Sequence, residues 1–573
     1  MSELTLPENT RNMGWNTYGM GLEAVGRDGA PEPMPIPSPG PGQMLVRVDA
    51  VGLCFSDVKL IRLGGDHPKL YGRDLSVEPT RLGHEASVTV IEVGEELADT
   101  YQPGQRLAIQ PDIHQDGMST AYGYTIPGGL IQYHLIGPEV LDGDEGAYVI
   151  PVTDEIGYAS AALSEPWACV EAAYTQRRRL SPLDGGSRWI IADPSNETEY
   201  DFGASLSAAG SIVATGASDA LKAQITAAAG DVAVSFEDEI SAADVAAFGE
   251  RHTGEDGFDD IIMLAPSSAE LVTEVAKLIA FRGTMNMVAD TALDGEPDID
   301  FGRLHYHYTA YVGTNGTAIE AAYGEDRNRA DFRPGGVAAY VGAAGPMGQM
   351  HIQRSIEMED GPDTLVCIDL DQDRMQVLID TLTPLADAKG KKMVIVDPNK
   401  DDARTIIDGL TDGRGADDVI VSVPVAVVMS DAGKLMADDG MLVFFAGIAN
   451  GTYGPLDMSQ VYLSNAQFTG TSGSSVADQA SVIEKAIAGS LTPSLNLAAI
   501  GGIEAGQDGI KAVMEGTFAG KTLIFPNVSG VPLSSLKGLA DVAPDVYEKL
   551  GPNGEWTREA EDTLIANYPA PPK

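Results

Sequence analysis

The stretch VAAYVGAAGPMGQMHIQRSIE (337–357) decides the architecture. Its first five residues form an apolar, strand-like run that feeds directly into Gly342, Gly345 and Gly348. QMHIQRSIE then continues with the spacing of a helix. Glycines at a strand-to-helix turn allow a tight reversal, close approach of a pyrophosphate and close helix packing, and the helix N-terminus faces the phosphates. Pro346 and Met347 complete the turn, and position 343 is Ala where the commonest fingerprint has Gly. Asp369 ends the next strand-like run, TLVCID (364–369), 21 positions beyond Gly348 (369 less 348). An acid there accepts hydrogen bonds from ribose hydroxyls and repels a 2′-phosphate, so the expected cofactor is NAD(H). Arg374 is a candidate to stack near the adenine, with a plain surface role as the alternative.

Outward from this turn, strand-like runs alternate with helical ones: MVIVDP (393–398), DDVIVSVP (417–424) and MLVFFAG (441–447). That rhythm signals a parallel sheet with crossover helices. The same rhythm precedes it, in RWIIAD (188–193), SIVATG (211–216), VAVSFE (232–237), DDIIMLAP (259–266) and GTMNMVAD (283–290). Blocks of the two series match at nearly one offset. GFDDIIMLAP (257–266) aligns with GADDVIVSVP (415–424), and YVGTNGTAIEA (311–321) aligns with FTGTSGSSVAD (468–478). An internal duplication follows, giving two doubly wound α/β sheets in tandem. The earlier copy has no glycine cluster: RWIIAD runs into PSNETEYDFGASL, and Asp193 would repel a pyrophosphate. This degenerate copy is read as a structural or oligomerisation spacer, or else as a wall of the substrate cleft or an effector site. HYHYTAYVG (305–313) alternates like a strand and would place His305 and His307 on one face.

Residues 1–184 are instead rich in short, closely spaced strand-like runs broken by Gly, Pro and Asp, as in MLVRVDAVGL (44–53), ASVTVIEVG (86–94) and QRLAIQP (105–111). They predict a small, partly closed β-barrel. The expected organisation is a barrel domain over 1–184, the degenerate copy over 185–332, the dinucleotide-binding copy over 333–473, a return to the barrel over 474–530, and a surface tail over 531–573.

Composition narrows the function. Asp plus Glu number 84 against 37 Lys plus Arg, a formal charge of −47. Phosphates and anionic lipids would be repelled, which excludes nucleic acid and membrane surfaces as partners and leaves small molecules. Cys54, Cys169 and Cys367 are too few for a disulfide framework or a four-thiolate zinc site. With no apolar signal core at the N-terminus, a reducing cytoplasm is expected.

Within the barrel segment lie Cys54 in GLCFSDVK, His84 and Glu85 in LGHEA, and Glu165 in LSEPWAC. Thiolate, imidazole and carboxylate are the donors of a catalytic zinc that keeps one open position. This order of motifs, ahead of a dinucleotide fold, resembles the medium-chain, zinc-dependent alcohol and polyol dehydrogenases, which join a GroES-like β domain to a Rossmann domain. GGDHPK (64–69), LAIQPDIHQDG (107–117), AYGYTIPGGLIQYHLI (121–136) and ALSEPWACVEAAY (162–174) resemble the L-sorbose-1-phosphate reductase branch and its sorbitol dehydrogenase-like kin. The resemblance implies Cys54 and His84 as zinc ligands, with Glu165, Glu85 or both completing the set. It implies Ser56 as the hydroxyl that passes the substrate proton outward and Asp57 as the carboxylate that orients a ligand. It implies one Zn2+ per chain and a homodimer or homotetramer.

The expected activity is a zinc-polarised hydride transfer between a secondary alcohol or polyol, a sugar phosphate included, and NAD(H). Lys59, Arg62, His67 and Lys69 are candidates to hold a phosphate. Two other readings stand beside it: a non-catalytic scaffold built on the duplicated domain, and a zinc-free quinone-type reductase, to which Ala343 points because A-x-x-G-x-x-G also occurs there.

Overall fold

The computed structural model describes Leu6 and residues 9–572. The chain divides into two compact units. One runs up to Ala172 and resumes at Gly473, taking in 376–385; the other is the rest of 173–472.

The first unit is built on a mostly antiparallel sheet, with one parallel pair between Leu497–Gly502 and Lys521–Phe525. Its elements are β1 (Met44–Leu53), α1 (Phe55–Leu63), β2 (Glu85–Val93), β3 (Arg106–Ile109), β4 (Tyr133–Ile136), β5 (Val149–Val152) and α2 (Tyr158–Ala172). The order β5-β3-β2-β1 continues into the returning strands Lys521–Phe525 and Leu497–Gly502, and β4 also pairs with β1. β1 is thus central and nearly all buried, as its unbroken apolar run requires. Met44, Val46, Val48 and Val51 pack with Trp15, Tyr122 and Tyr148.

The segment 531–573, expected as a surface tail, is instead part of this unit. Leu539, Val546, Trp556, Ala560 and Leu564 are buried with Phe525. Its last helix sends the Glu561 carboxylate to the backbone N–H groups of Tyr158 (2.6 Å) and Ala159 (2.8 Å), the first turn of α2. Those donors have no partner inside α2, so an acid supplied from elsewhere satisfies them and suits the helix dipole.

The second unit holds both nucleotide-fold copies. The first comprises β6 (Ser187–Ile191), β7 (Ser211–Thr215), β8 (Val234–Glu237), β9 (Phe258–Leu264), β10 (Ile279–Val288), β11 (Asp298–Asp300), α3 (Phe301–Tyr306) and β12 (Ala310–Thr314). The second comprises β13 (Val337–Val341), α4 (Pro346–Glu357), β14 (Thr364–Ile368), β15 (Lys392–Val396), β16 (Ala416–Val421), β17 (Met436–Phe444), β18 (Tyr453–Pro455), α5 (Ser459–Leu463) and β19 (Gln467–Gly470). The six parallel strands run β8-β7-β6-β9-β10-β12 in one sheet and β15-β14-β13-β16-β17-β19 in the other. Both are the doubly wound Rossmann order, so the α/β class with a duplicated sheet holds. Small details repeat as well. The Asp259 carboxylate accepts from Ser187 N at the start of β6 (2.8 Å), and that of Asp417 accepts from Val337 N at the start of β13 (2.9 Å).

Two local expectations are corrected. HYHYTAYVG is not one strand: 301–306 is helical, capped by the Asp300 side chain on Arg303 N (3.2 Å), and the strand starts at Ala310. His305 is therefore buried at the end of a helix, while His307 follows it. The connection from β6 to β7, residues 192–210, contains no helix. The first copy lacks the helix N-terminus as well as the glycines.

Candidate metal centre and dinucleotide turn

β1 ends at Leu53, and Cys54 forms the joint with α1. Asp57, three residues on, turns back so that its Oδ2 accepts from Cys54 N (2.9 Å). Its Oδ1 accepts from Gly83 N (3.1 Å) and stands 3.4 Å from His84 Nδ1. One buried carboxylate thereby ties the helix start to the Gly83–His84 turn. Gly83 has φ +90°, and its missing Cβ would lie 2.6 Å from Val51, so only glycine fits. Burial raises the Asp57 carboxyl, but His84 and the two backbone donors outweigh it and hold the group below its ordinary value. Burial likewise opposes charge on His84, yet Asp57 keeps that imidazole well above its ordinary value.

The outcome is one cluster: Cys54, His84 and Glu85 each bring a ligand atom to within 4.8 Å of the others. One of its polar atoms, Glu85 Oε2, is buried without a hydrogen-bond partner, while His84 Nδ1 faces Asp57 Oδ1 at 3.4 Å. Sulfur, nitrogen and oxygen donors brought together in one buried place fit a zinc ion chemically. Glu165, on α2, lies outside that group of three. Burial pushes its carboxyl up to about 7; the charge of His84 works against this, while Glu85 and Asp112 add to it. Ser56 is half-buried on the first turn of α1, two residues from Cys54.

Sequence reading missed the cation that faces Glu85. Lys521, on a returning strand, places Nζ 2.5 Å from Glu85 Oε1 and 3.2 Å from Leu53 O, with both side chains buried. Burial opposes the ammonium, but Glu85 and Cys54 hold it above its ordinary value. The two residues lie 436 positions apart, so no local pattern signals the pair. Gly52, opposite Glu85 on β1, has no room for a side chain, since its Cβ would lie 1.9 Å from Glu85 Oε2.

The basic candidates separate. Lys69 is bound to Asp112 at 2.9 Å and sits 5.1 Å from the Tyr124 ring centre, which also faces the His67 and His84 rings. Burial, then Lys69 and Lys59, lower His67 to about 4. Arg62 lies over the Phe55 ring. The Cys169 thiol donates to Glu165 Oε1 at 3.8 Å, and burial pushes it well up, out of the thiolate range. Cys367 is buried inside β14, consistent with a packing role.

In the second unit the glycine turn has the expected form. Gly342 has φ +84°, and a Cβ there would meet Val423 at 2.4 Å. A Cβ on Gly348 would meet Gly342 O at 2.2 Å, so this glycine lets α4 pack onto the turn. Gly345 faces nothing in the protein closer than 3.6 Å, which leaves its space to an approaching ligand. Pro346 is the first residue of α4, with Met347 next. Asp369 accepts from Ala344 N (2.9 Å) and Asp371 N (3.0 Å), which fixes its carboxylate beside the turn. Arg374 follows on the next helix, its backbone N–H bound to Asp371. Asp193, at the corresponding place in the first copy, is exposed and closes a turn onto Ser195 N (2.7 Å).

Among the described residues no helix is long and apolar enough to cross a membrane. Residues 40–141 match the family model of the alcohol dehydrogenase GroES-like domain. A mannitol-1-phosphate 5-dehydrogenase of Aliivibrio fischeri is 23% identical, with 92% of each chain covered. An L-sorbose 1-phosphate reductase of Klebsiella pneumoniae is 27% identical over 48% of this chain and 69% of its own. A sorbitol dehydrogenase of Gallus gallus is 41% identical over 26% of this chain and 43% of its own. Among solved structures, 2R,3R-butanediol dehydrogenase of Bacillus subtilis aligns with 90% of this chain and 100% of its own, at 16% identity and a TM-score of 0.48. The GroES-like match over the cluster-bearing segment and these relatives make the chain similar to the zinc-type alcohol and polyol dehydrogenases, and support its being an oxidoreductase of that kind.

Proposed function

We propose that the chain is a zinc-dependent, NAD(H)-linked dehydrogenase that interconverts a secondary alcohol of a polyol, or of a polyol phosphate, and the matching ketone. The observation that carries this reading is the grouping of the Cys54, His84 and Glu85 ligand atoms within 4.8 Å of one another, in a chain that also holds the Gly342, Gly345 and Gly348 turn.

A zinc ion bound there supplies Lewis-acid polarisation of the substrate oxygen. The remaining work falls to the chain. Cys54 and His84 would hold the ion, with Glu85, Glu165 or both completing the set. Asp57 fixes the imidazole plane of His84 and holds Cys54 at the start of α1. On oxidation of an alcohol the Ser56 hydroxyl would take the O–H proton and pass it to solvent, and a bound nicotinamide would supply the hydride acceptor for the carbinol hydrogen. The glycine turn and the N-terminus of α4 would hold the pyrophosphate of a dinucleotide, and Asp369 beside the turn would accept from its ribose hydroxyls, which would favour NAD over NADP. The phosphate option draws on the named substrates of two relatives. Lys69 is a candidate to meet such a group, although Asp112 already shares its charge.

The test is metal analysis paired with NADH formation over a panel of polyols and polyol phosphates. The proposal expects one zinc per chain and turnover of at least one member of the panel, with both lost in Cys54→Ala. Unchanged turnover in Cys54→Ala overturns it.

A further inference from the structure

The two nucleotide-fold copies meet about a local two-fold axis. β11 and β18 pair antiparallel, with Ile299 opposite Gly454, Asp298 opposite Pro455 and Asp300 opposite Tyr453. The flanking hydrogen bonds are reciprocal: Phe301 N donates to Thr452 O at 3.0 Å, and Leu456 N donates to Pro297 O at 3.1 Å. The donors stand 155 positions apart (456 less 301), and so do the acceptors (452 less 297). Gly470 of β19 packs against Leu304 and His305 of α3, while its counterpart Gly313 of β12 packs against Tyr462 of α5. Equivalent surfaces in self-complementary contact are what an isologous dimer shows, here within one chain.

One side of this contact reaches the dinucleotide turn. The loop 445–452 leaves the carboxyl end of β17, the edge along which doubly wound sheets bind their ligands. α3 and its flanks grip that loop at three points and the end of β17 at a fourth. Gly451 N donates to Asp300 Oδ2 (2.8 Å), and His305 Nδ1 meets Phe444 O (3.2 Å). His307 Nε2 meets Asn450 Nδ2 (3.0 Å), and Gly302 lies so close that a Cβ on it would stand 2.6 Å from Asn450 N. From the loop, contact continues to the turn itself. Ala446 N donates to Val421 O (3.0 Å), the Phe445 ring lies 4.3 Å from that of His351 on α4, and Val423 abuts Gly342.

We propose that the degenerate copy is a built-in partner subunit: through α3 it fixes the 445–452 loop in cis, so that cofactor affinity in the second copy depends on residues of a first copy that touches no cofactor. This rests on the reading that the second copy binds NAD(H). Gly302 and His307 are then positioning residues. In Gly302→Ala the new Cβ must displace Asn450 by several tenths of an ångström. A displacement of that size at a ligand-facing loop weakens NADH binding about ten-fold.

The experiment measures NADH affinity by fluorescence, zinc content, and amide hydrogen exchange over 445–452 in the full chain. Gly302→Ala and His307→Ala are compared with Gly316→Ala, a first-copy glycine with nothing within 3.6 Å. Weaker NADH binding, faster exchange over 445–452 and unchanged zinc in Gly302→Ala and His307→Ala, with Gly316→Ala like wild type, is the expected result. Wild-type affinity and exchange in both variants overturn the proposal. Should Gly302→Ala not fold, His307→Ala decides. Should the wild-type chain bind no NADH, the cofactor reading fails, and the exchange measurement alone decides whether α3 holds the loop.

Discussion

Lys521→Met removes the cation from a buried ion pair while keeping the length and apolar stem of the side chain. Nζ lies 2.5 Å from Glu85 Oε1, and Glu85 Oε2 has no hydrogen-bond partner. With Lys521 gone, Glu85 keeps its burial and loses its counter-charge. Breaking a buried pair from one side costs about 3–5 kcal/mol, because the remaining charge is uncompensated. Against a typical domain stability of about 5–15 kcal/mol, that is a large fraction. Removing both charges costs far less, since no ion is left buried: Lys521→Met with Glu85→Gln restores most of the loss. Urea unfolding followed by tryptophan fluorescence reads the effect, since Trp15, Trp167 and Trp556 are all buried in the first unit. The assay is run with metal chelated, so that only the ion pair is measured. A loss under about 1 kcal/mol in Lys521→Met, or a double variant no more stable than the single one, refutes the reasoning.

Other outcomes follow from the same geometry. Glu561→Ala leaves two N–H groups of α2 unpaired and costs about 1–2 kcal/mol in urea unfolding. His134 is buried between Tyr122 OH and Leu135 O, both at 2.9 Å, and burial lowers it to about 3. The unfolded chain takes up that proton near pH 6.5 and the folded one does not, so stability falls with pH below 6.5, by about 2 kcal/mol at pH 5 from this ring alone. Its ring resonances should stay untitrated down to pH 4, and a midpoint near 6.5 contradicts the burial argument. Gly348→Ala, whose Cβ would lie 2.2 Å from Gly342 O, weakens NADH binding at least ten-fold in a fluorescence titration. Asp369→Ala narrows the preference for NAD over NADP, read as the ratio of kcat/KM values.

Much of this was legible in the sequence where chemistry is local. The 337–348 run shows strand, turn and helix within twelve residues, and Gly348 is forced by its contact with Gly342 O inside that same stretch. The matching offsets exposed the duplicated sheets, because each copy repeats its whole hydrophobic rhythm. Cys54, His84 and Glu85 were found as residue types, but what unites them was not. Asp57 joins Cys54 to Gly83, and Lys521 arrives from the far end of the chain. The tail was misread because Trp556 and Leu564 bury against Phe525, a partner that no short pattern shows. HYHYTAYVG was misread because a period-two pattern of aromatic residues also suits a short helix with two buried faces. There the Asp300 cap overrides strand propensity.

The central claim is a zinc ion held by one sulfur together with nitrogen and oxygen donors. Zinc X-ray absorption on the metal-loaded chain tests it directly. The account predicts one sulfur scatterer at about 2.3 Å, with the remaining ligands nitrogen or oxygen at about 2.0–2.2 Å, and loss of the sulfur shell in Cys54→Ala. A shell of two sulfurs, which would bring in Cys169, or a sulfur shell that survives in Cys54→Ala, contradicts it.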